Sequence, residues 1–334
     1  MNKQFLKGNV MMMIRHMRFS LAFLAAAMGL ALTSHAQEYP SKLITLVVPY
    51  ATGGSTNTWA LMLATKLREK WGQPVIVENR AGANGNVGAA SVYKAEPDGY
   101  TLLVTAPGPL VINKSLYAKL DYEPEAFAPV SLVLMAPNVL VVNPKLGVNS
   151  VNQFIGLAKS DPKRLNYASQ GSGATSHLAA ESFKMMAGVG VTHIPYKGSG
   201  PALVDLIGGQ VDMMFAEIST ALPHINSGKL RLLAVGSEKR DPALPDVPTV
   251  SETLPGFFSA TWTGIVAPPK TPQFITEKLS AAIAEAMRHP DVVKSAREAS
   301  AIVIASNPAD MAKFIKQEAE RWGRVIRATD TKLD

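Results

Sequence analysis

The sequence has no cysteine. That excludes disulfide scaffolding, thiolate metal centres and thiol nucleophiles, and with them the lipid-modified cysteine of an anchored secreted protein. Charge is thin as well. Asp, Glu, Lys and Arg make up 18% of the 334 residues, against about a quarter in ordinary globular proteins. The basic residues are scattered, and no Lys/Arg run interleaved with aromatics occurs, so nucleic acid is not an expected partner. Neither Gly-x-Ser-x-Gly nor a Gly-x-x-x-x-Gly-Lys-Ser/Thr loop is present, which removes the simplest signatures of an esterase elbow and a phosphate loop. Past residue 36 the histidines are His177, His193, His224 and His289. None has an evident nucleophile partner, and His177 lacks companions at metal-ligand spacing, so neither metal nor cofactor is expected.

The chain also lacks a second long apolar run. The first spans Phe19 to Leu32, follows Lys3, Lys7, Arg15 and Arg18, and ends before Ser34-His35-Ala36. A positive start, a short apolar stretch and small residues at the cut describe a secretory signal peptide over residues 1–36, cleaved after Ala36. The stretch is short for a membrane span. The mature chain is therefore expected free in the periplasm, without stable membrane insertion. Four of the basic residues go with the leader, so more than half of the net charge of +7 does not belong to the mature protein.

What is present is a strand–turn–helix passage made twice. Leu43 to Val48 reads as a buried strand, and Ala60, Leu61, Ala64, Leu67 and Trp71 fall at helical spacing. Between them lie Tyr50, Ala51, Thr52, Gly53, Gly54, Ser55, Thr56 and Asn57. Glycine lets the backbone turn tightly and a ligand approach closely. Ser, Thr and Asn are N-cap types. The first N–H groups of a helix lack internal partners and sit at the positive end of its dipole, which suits an anion such as a carboxylate. The second passage runs through Ser169, Gln170, Gly171, Ser172, Gly173, Ala174, Thr175, Ser176 and His177 into a helix carrying Leu178, Ala179, Phe183 and Met186. Either turn alone is also ordinary α/β construction. Two of them, one in each lobe, would grip one ligand from both sides.

Strands and helices alternate along the rest of the chain, which gives an α/β class with mainly parallel sheets. Two apolar runs, Ala128–Leu134 and Val139–Val142, are split by Met135-Ala136-Pro137-Asn138, read as a crossing between lobes. The proline-rich stretch from Ser237 to Gly256 reads as the return. Residues 37–136 with 257–334 form the expected first lobe, and residues 137–256 the second.

Other residues are candidates for the cleft. Tyr50 and Tyr167 end strands, as cleft walls or as edge-of-core aromatics. Thr105 and Ala106 follow the third strand, where open α/β sheets bind ligands. Tyr196 follows another strand; Lys197 is expected in solvent. Glu217, if it faces the cleft, favours an ammonium or amide group and repels a second carboxylate; otherwise it is a surface glutamate. His177 either fixes its loop or touches ligand. Asp212 is an exposed strand acid or a cap for a nearby loop, and Arg80 has a structural role, pairing with Glu78 or with an acid across the lobe.

Several blocks in order carry a resemblance: LVVPYATGGSTNT, VENRAGANGNVGA, PDGYTLLV, YASQGSGATSHLAAE, HIPYKGSGPALVDLIGGQVDMMF, ALPHINSGKLRLLAV, LPDVPTVSE and WTGIVAP. Together they resemble the Bug family, extracytoplasmic receptors of tripartite tricarboxylate transporters. The resemblance implies a two-lobed type II periplasmic-binding-protein fold with a ligand cleft between the lobes. It implies a small carboxylic acid or amino acid as ligand, held by positions 50–57 and 169–177, and membrane transporter subunits as partners. Asn57, Trp59 and the Ala216-Glu217-Ile218 segment depart from the common family pattern. A monomer is the default for the fold. The alternatives are a secreted α/β hydrolase and a ligand-loaded sensor for a membrane kinase.

Overall fold

The computed structural model describes residues 39–333 apart from 162–163, 242–243 and 330. The leader and its cleavage site lie outside the described residues. The fold lies in the unit Lys42–Asp334.

Its elements alternate as the periodicity requires. β1 (Ile44–Val48) leads into α1 (Ser55–Trp71), then β2 (Val75–Asn79), α2 (Asn86–Tyr93) and β3 (Thr101–Thr105). α3 (Asn113–Leu116) precedes the long β4 (Ala128–Val142). There come next α4 (Val151–Ser160), β5 (Asn166–Ser169), α5 (Thr175–Ala187), β6 (Thr192–Pro195), α6 (Ser199–Gly208), β7 (Met213–Glu217), α7 (Ile218–Asn226) and β8 (Arg231–Val235). The chain returns through β9 (Ala260–Ala267), α8 (Gln273–Met287), α9 (Pro290–Glu298), β10 (Ile302–Val303) and α10 (Pro308–Ala328).

The strands run in the order β2-β1-β3-β9-β4-β7-β5-β6, with β8 and β10 also on β4. The flanks β2-β1-β3 and β6-β5-β7 are parallel. Every pairing of β4, and that of β3 with β9, is antiparallel. The sheet is thus mixed, because the chain doubles back wherever it passes between the flanks.

β4 is where the sequence reading needs correction. The two expected runs form one strand of 15 residues. Pro137 has no N–H to give, yet it pairs opposite Ala260 without breaking the strand, because the next residue, Asn138, turns to new partners. Up to Pro137 the neighbours are β9 and β10; from Asn138 they are β7 and β8. The strand therefore crosses between flanks at the expected place. At that crossing Asn138 N–H donates to Ser259 O, Ser259 N–H to Gly236 O, and Gly236 N–H to Asn138 O. A Cβ on Gly236 would lie 2.5 Å from Ser259 O and 2.8 Å from Asn138 O, so three segments meet there at backbone contact.

Apolar cores lie on both sides. One joins Val47, Leu103, Trp262, Met311 and Trp322. Two more cover the opposite faces of the second flank, around Phe154, Phe183 and Phe215 and around Leu206, Met214 and Ile218. Smaller departures have local causes. Pro107-Gly108-Pro109 follows the end of β3 at Thr105, and a π-helical turn over Gly108–Ile112 begins within it. Pro201, a residue suited to the first helical position, is third in α6, which starts at Ser199. Glu217 closes β7 instead of lying in a loop, and α9 forms where the sequence pattern predicts no element.

Candidate functional site

The helices whose starts meet solvent between the flanks share one property. α1 begins after Gly54, α5 after Ala174 and α6 after Gly198, and none of these N-caps offers a side-chain acceptor to its helix. None carries an acid in its first turn either. Ser150 and Asn307 cap α4 and α10 with their side chains; the remaining helices, α7 at Glu217 among them, also lack a side-chain cap, so what sets α1, α5 and α6 apart is that their starts meet at one cavity. The first-turn N–H groups of α1, α5 and α6 are thus left to an external acceptor, with three helix dipoles behind them. The correction to the sequence reading is specific: Ser55, Thr56 and Asn57 occupy the first turn of α1, and the cap itself is Gly54.

These starts open on one cavity of about 540 Å³, a size suited to a small organic solute. Tyr50 to Asn57 all line it, as do Ala106, Gly173, Ala174, Thr175 and Glu217. Thr105, Ser169, Gly171, Ser172, Ser176, His177 and Tyr196 do not. Most of these instead build the walls. Thr105 is fully buried and its Oγ1 lies 3.2 Å from Tyr50 Oη. Burial pushes the Tyr50 phenol up to about 12, so it meets the cavity as a neutral hydroxyl. Ser176 Oγ accepts the Gln170 N–H at 3.0 Å. Tyr196 donates to Asp205 at 2.7 Å. Tyr167 is wholly buried and donates to Glu181, so it is no cleft wall. Asp212 accepts the Asn166 N–H at 2.8 Å, which is the loop-capping alternative. Arg80 pairs with Glu78 through two bonds.

Gln170, inside the second turn, lines the cavity as well and donates to Ser199 Oγ at 2.8 Å. Other lining residues are not singled out by the sequence. Gly198, Ser199 and Gly200 form a third glycine/serine passage from strand to helix, and its likeness to the first two was a usable signal. Asn84, in the left-handed region at φ 52°, exchanges side-chain bonds with buried Asn113; asparagine is among the few residues that tolerate that conformation. Thr220 and Thr261 complete the lining with Pro107, Gly108 and Ile112. Among the described residues no Lys, Arg or His lines the cavity, and Glu217 is its one acidic residue.

Under the second turn His177, His193 and Tyr167 form a stack, with 4.0 Å between the two imidazole centroids and 4.8 Å from Tyr167 to His193. His177 Nδ1 accepts the Gly173 N–H at 3.0 Å, which places the neutral ring's proton on Nε2. His193 Nε2 lies 2.7 Å from Ser169 Oγ, and that oxygen accepts the Gly171 N–H. His177 thus fixes its loop. Burial lowers both imidazoles, His193 to about 4 with a further push from His177; Glu181 opposes the shift. Because the folded state holds these rings neutral and the unfolded chain does not, the unfolded state binds more protons below about pH 6.5. Stability is full above that pH and falls as pH drops toward 4. Discounted for the partial exposure of the ring, the His193 shift alone is worth roughly 2–3 kcal/mol. Thermal unfolding of the protein and of His193→Phe between pH 7 and pH 4 should show a shallower loss for the variant; equal slopes would mean the stack does not titrate as a unit.

An α/β chain with a mixed sheet, a crossing strand and a cleft rimmed by uncapped helix starts has the make of the periplasmic-binding-protein class. The profile of the tripartite tricarboxylate transporter family receptor, TctC, matches residues 60–331, and the chain belongs to that family. It is 39% identical to the protein BugT of Bordetella pertussis over 93% of this chain and 96% of that one. It is 38% identical to a UPF0065 protein encoded between tcbD and tcbE in Pseudomonas sp., over 92% of each. Among solved structures, Rpa4515 of R. palustris with adipate aligns at a TM-score of 0.81 and 36% identity, covering 88% of this chain and 99% of that one. MatC of Rhodopseudomonas palustris with bound malate aligns at 0.77 and 35%, covering 86% and 100%. The expected fold is the observed one, and the family is one of solute-binding receptors.

Proposed function

We propose that the chain is the periplasmic receptor of a tripartite tricarboxylate-type transporter and captures a small carboxylate-bearing solute between two lobes. The observation that carries this reading is the convergence of three uncapped helix starts on one cavity whose described lining holds no cation. Backbone N–H groups hold a carboxylate there as charged side chains do elsewhere, at no cost in mobile side chains. The neighbours solved with adipate and malate are in keeping with such a ligand.

The lobes comprise residues 37–136 with 257–334 and residues 137–256. They move about Asn138, Gly236 and Ser259, and a solute touching both favours the closed form through its differential contacts. No helix among the described residues is long and apolar enough to cross a membrane, which suits a receptor freed by cleavage after Ala36 and delivered to membrane subunits. The sensor reading shares this cleft and differs only in its partner. The hydrolase reading draws no support from the close Ser169–His193 pair, because Ser169 is fully buried beneath the turn and does not line the cavity.

The test is a thermal-shift screen of ligand-stripped protein from Gln37 against small carboxylates, amino acids and amides. A solute at a hundred times its dissociation constant should stabilise by about 2.7 kcal/mol, and small-angle scattering should show the same solute compacting the molecule. If only non-carboxylates shift the midpoint, the reading fails.

A further inference from the structure

We propose that Glu217 sets the second requirement of the cleft: the captured solute presents a hydrogen-bond donor, as ammonium, amide or hydroxyl, to this carboxyl while its carboxylate meets the helix starts. The inference rests on the receptor reading above and names the solute class within it.

Glu217 ends β7 and is the residue from which α7 starts, yet its side chain makes no cap bond to that helix. Among the described residues no Lys, Arg or His pairs with it. Its neighbours come from both sides of the cleft: Ser55 from the start of α1 and Gln170 from the second turn. Behind it the wall is closed. A second cavity, of only about 20 Å³, touches Glu217, Ser55, Trp59 and Thr261. That is room for about one water, so a solute ends at Glu217 and does not run past it. Trp59, buried on α1, helps to close this wall.

The charge pattern makes the carboxyl selective. A solute carboxylate at the helix starts is met by N–H groups. A second carboxylate at the far end would find no cation on the described cavity wall and would face Glu217. A donor there satisfies Glu217, which otherwise sits half-buried at the cavity without a counter-charge. Burial already disfavours the ionised form of Glu217, and hydrogen bonding to Ser55 and Gln170 opposes that effect. The other ionisable group on the wall, Tyr50, is held neutral. A dicarboxylate therefore enters with one proton shared between its far end and Glu217, and its apparent affinity rises as pH falls.

The experiment is calorimetric titration of the ligand-free protein with succinate, glutarate and adipate, each beside its half-amide and the ω-amino acid of equal length. At neutral pH the donor-ended probe of the best length should bind at least about tenfold tighter than its dicarboxylate. Glu217→Gln should abolish or invert that order, and Glu217→Ala should abolish it without inversion. Both variants should melt near the parent, which separates loss of selectivity from loss of fold. Dicarboxylate binding should take up a proton in the parent and not in Glu217→Gln. A parent that prefers the dicarboxylate, with the order unchanged in both variants, overturns the inference and leaves the receptor reading standing. Absence of binding by every carboxylate probe removes both.

Discussion

Gly54→Asp should bind carboxylates at least about a hundredfold more weakly than the parent and yet melt at the same or a slightly higher temperature. The backbone permits the substitution. Gly54 is the N-cap of α1 at φ −80° and ψ 165°, a conformation open to any L-residue. A Cβ built there meets nothing within 4 Å. Aspartate fits without strain or collision, and its carboxylate can accept from the N–H groups of Thr56 or Asn57 as a normal cap does. Against glycine that gains a few tenths of a kcal/mol, and the helix dipole adds about 0.3–1 kcal/mol. The same carboxylate then occupies the place proposed for the solute's carboxylate. Two negative charges about 4 Å apart at an effective dielectric near 20 repel by about 4 kcal/mol, which sets the hundredfold loss as a cautious figure. Stability and affinity move in opposite directions only if the helix start is itself the anion site. Calorimetry beside a thermal scan decides it. Unchanged affinity would mean that the solute carboxylate sits elsewhere, and the reading built on α1 would fall.

That variant also shows what could be read from the sequence alone. The glycine-rich turn before α1 was visible because strand, glycine pair and helix periodicity follow one another directly, and all of positions 50–57 line the cavity. The second turn is visible for the same reason, but spacing alone weights its residues evenly. In space it divides: Gly173, Ala174 and Thr175 face the cavity, while Ser169, Ser176 and His177 hold the turn from below. One-dimensional spacing does not tell which side of a turn a hydroxyl takes. Gly171 and Gly173 illustrate the point. Both have positive φ, but a Cβ on Gly173 would press to 2.5 Å from Leu116, a residue of α3 that no local pattern connects to it. The third turn, at Gly198 to Gly200, carried the signature too. The strand before it reads from the sequence as Val191 to Ile194, close to the observed β6; what spacing does not show is that the start of α6 reaches the same cavity as the other two turns.

The fold was legible where periodicity is long and hidden where topology overrides local rules. Proline in a central strand normally argues against that strand. Pro137 is tolerated because β4 changes partners at the next residue, and this exchange depends on Gly236 and Ser259, more than ninety residues further along. Likewise the antiparallel middle of the sheet follows from chain return through β9, which strand-by-strand reading cannot distinguish from another parallel crossover.

The last helix holds the largest expected effect on stability. Glu318 on α10 is 5% exposed, a position where an unpaired carboxylate would be untenable. Sequence alone does not single it out, because Arg321, Arg324 and Arg327 on the same helix read as solvated charge. Its oxygens instead accept from four donors. Arg321 gives Nε at 2.6 Å and Nη2 at 2.9 Å, Trp262 gives its indole N–H at 3.1 Å, and Trp322 at 3.2 Å. Arg321 also donates to Phe258 O and lies 3.9 Å from the Trp322 ring centroid, so it too is bound down rather than solvated. Glu318→Ala strands two buried indole N–H groups between α10 and β9 and takes the carboxylate from a partly exposed guanidinium. Removing one partner of a fully buried pair costs about 3–5 kcal/mol; with Arg321 partly exposed the loss belongs at the lower end, and for a chain of this size it lowers the unfolding midpoint by several degrees. Glu318→Gln keeps an acceptor for the indoles and loses the charge facing Arg321, so it should fall between the two. Trp262 adjoins Thr261, which lines the cavity, but the indole points to the other face of β9, where α10 packs. Solute affinity should therefore change by less than about threefold in both variants, since the anchor lies on the opposite side of the strand from the cleft. Denaturant unfolding and calorimetry on the same samples test both halves. A loss below about 1 kcal/mol for Glu318→Ala would show that water reaches this site and satisfies the stranded donors. A large affinity loss in Glu318→Gln would mean that β9 transmits the packing of α10 into the cleft.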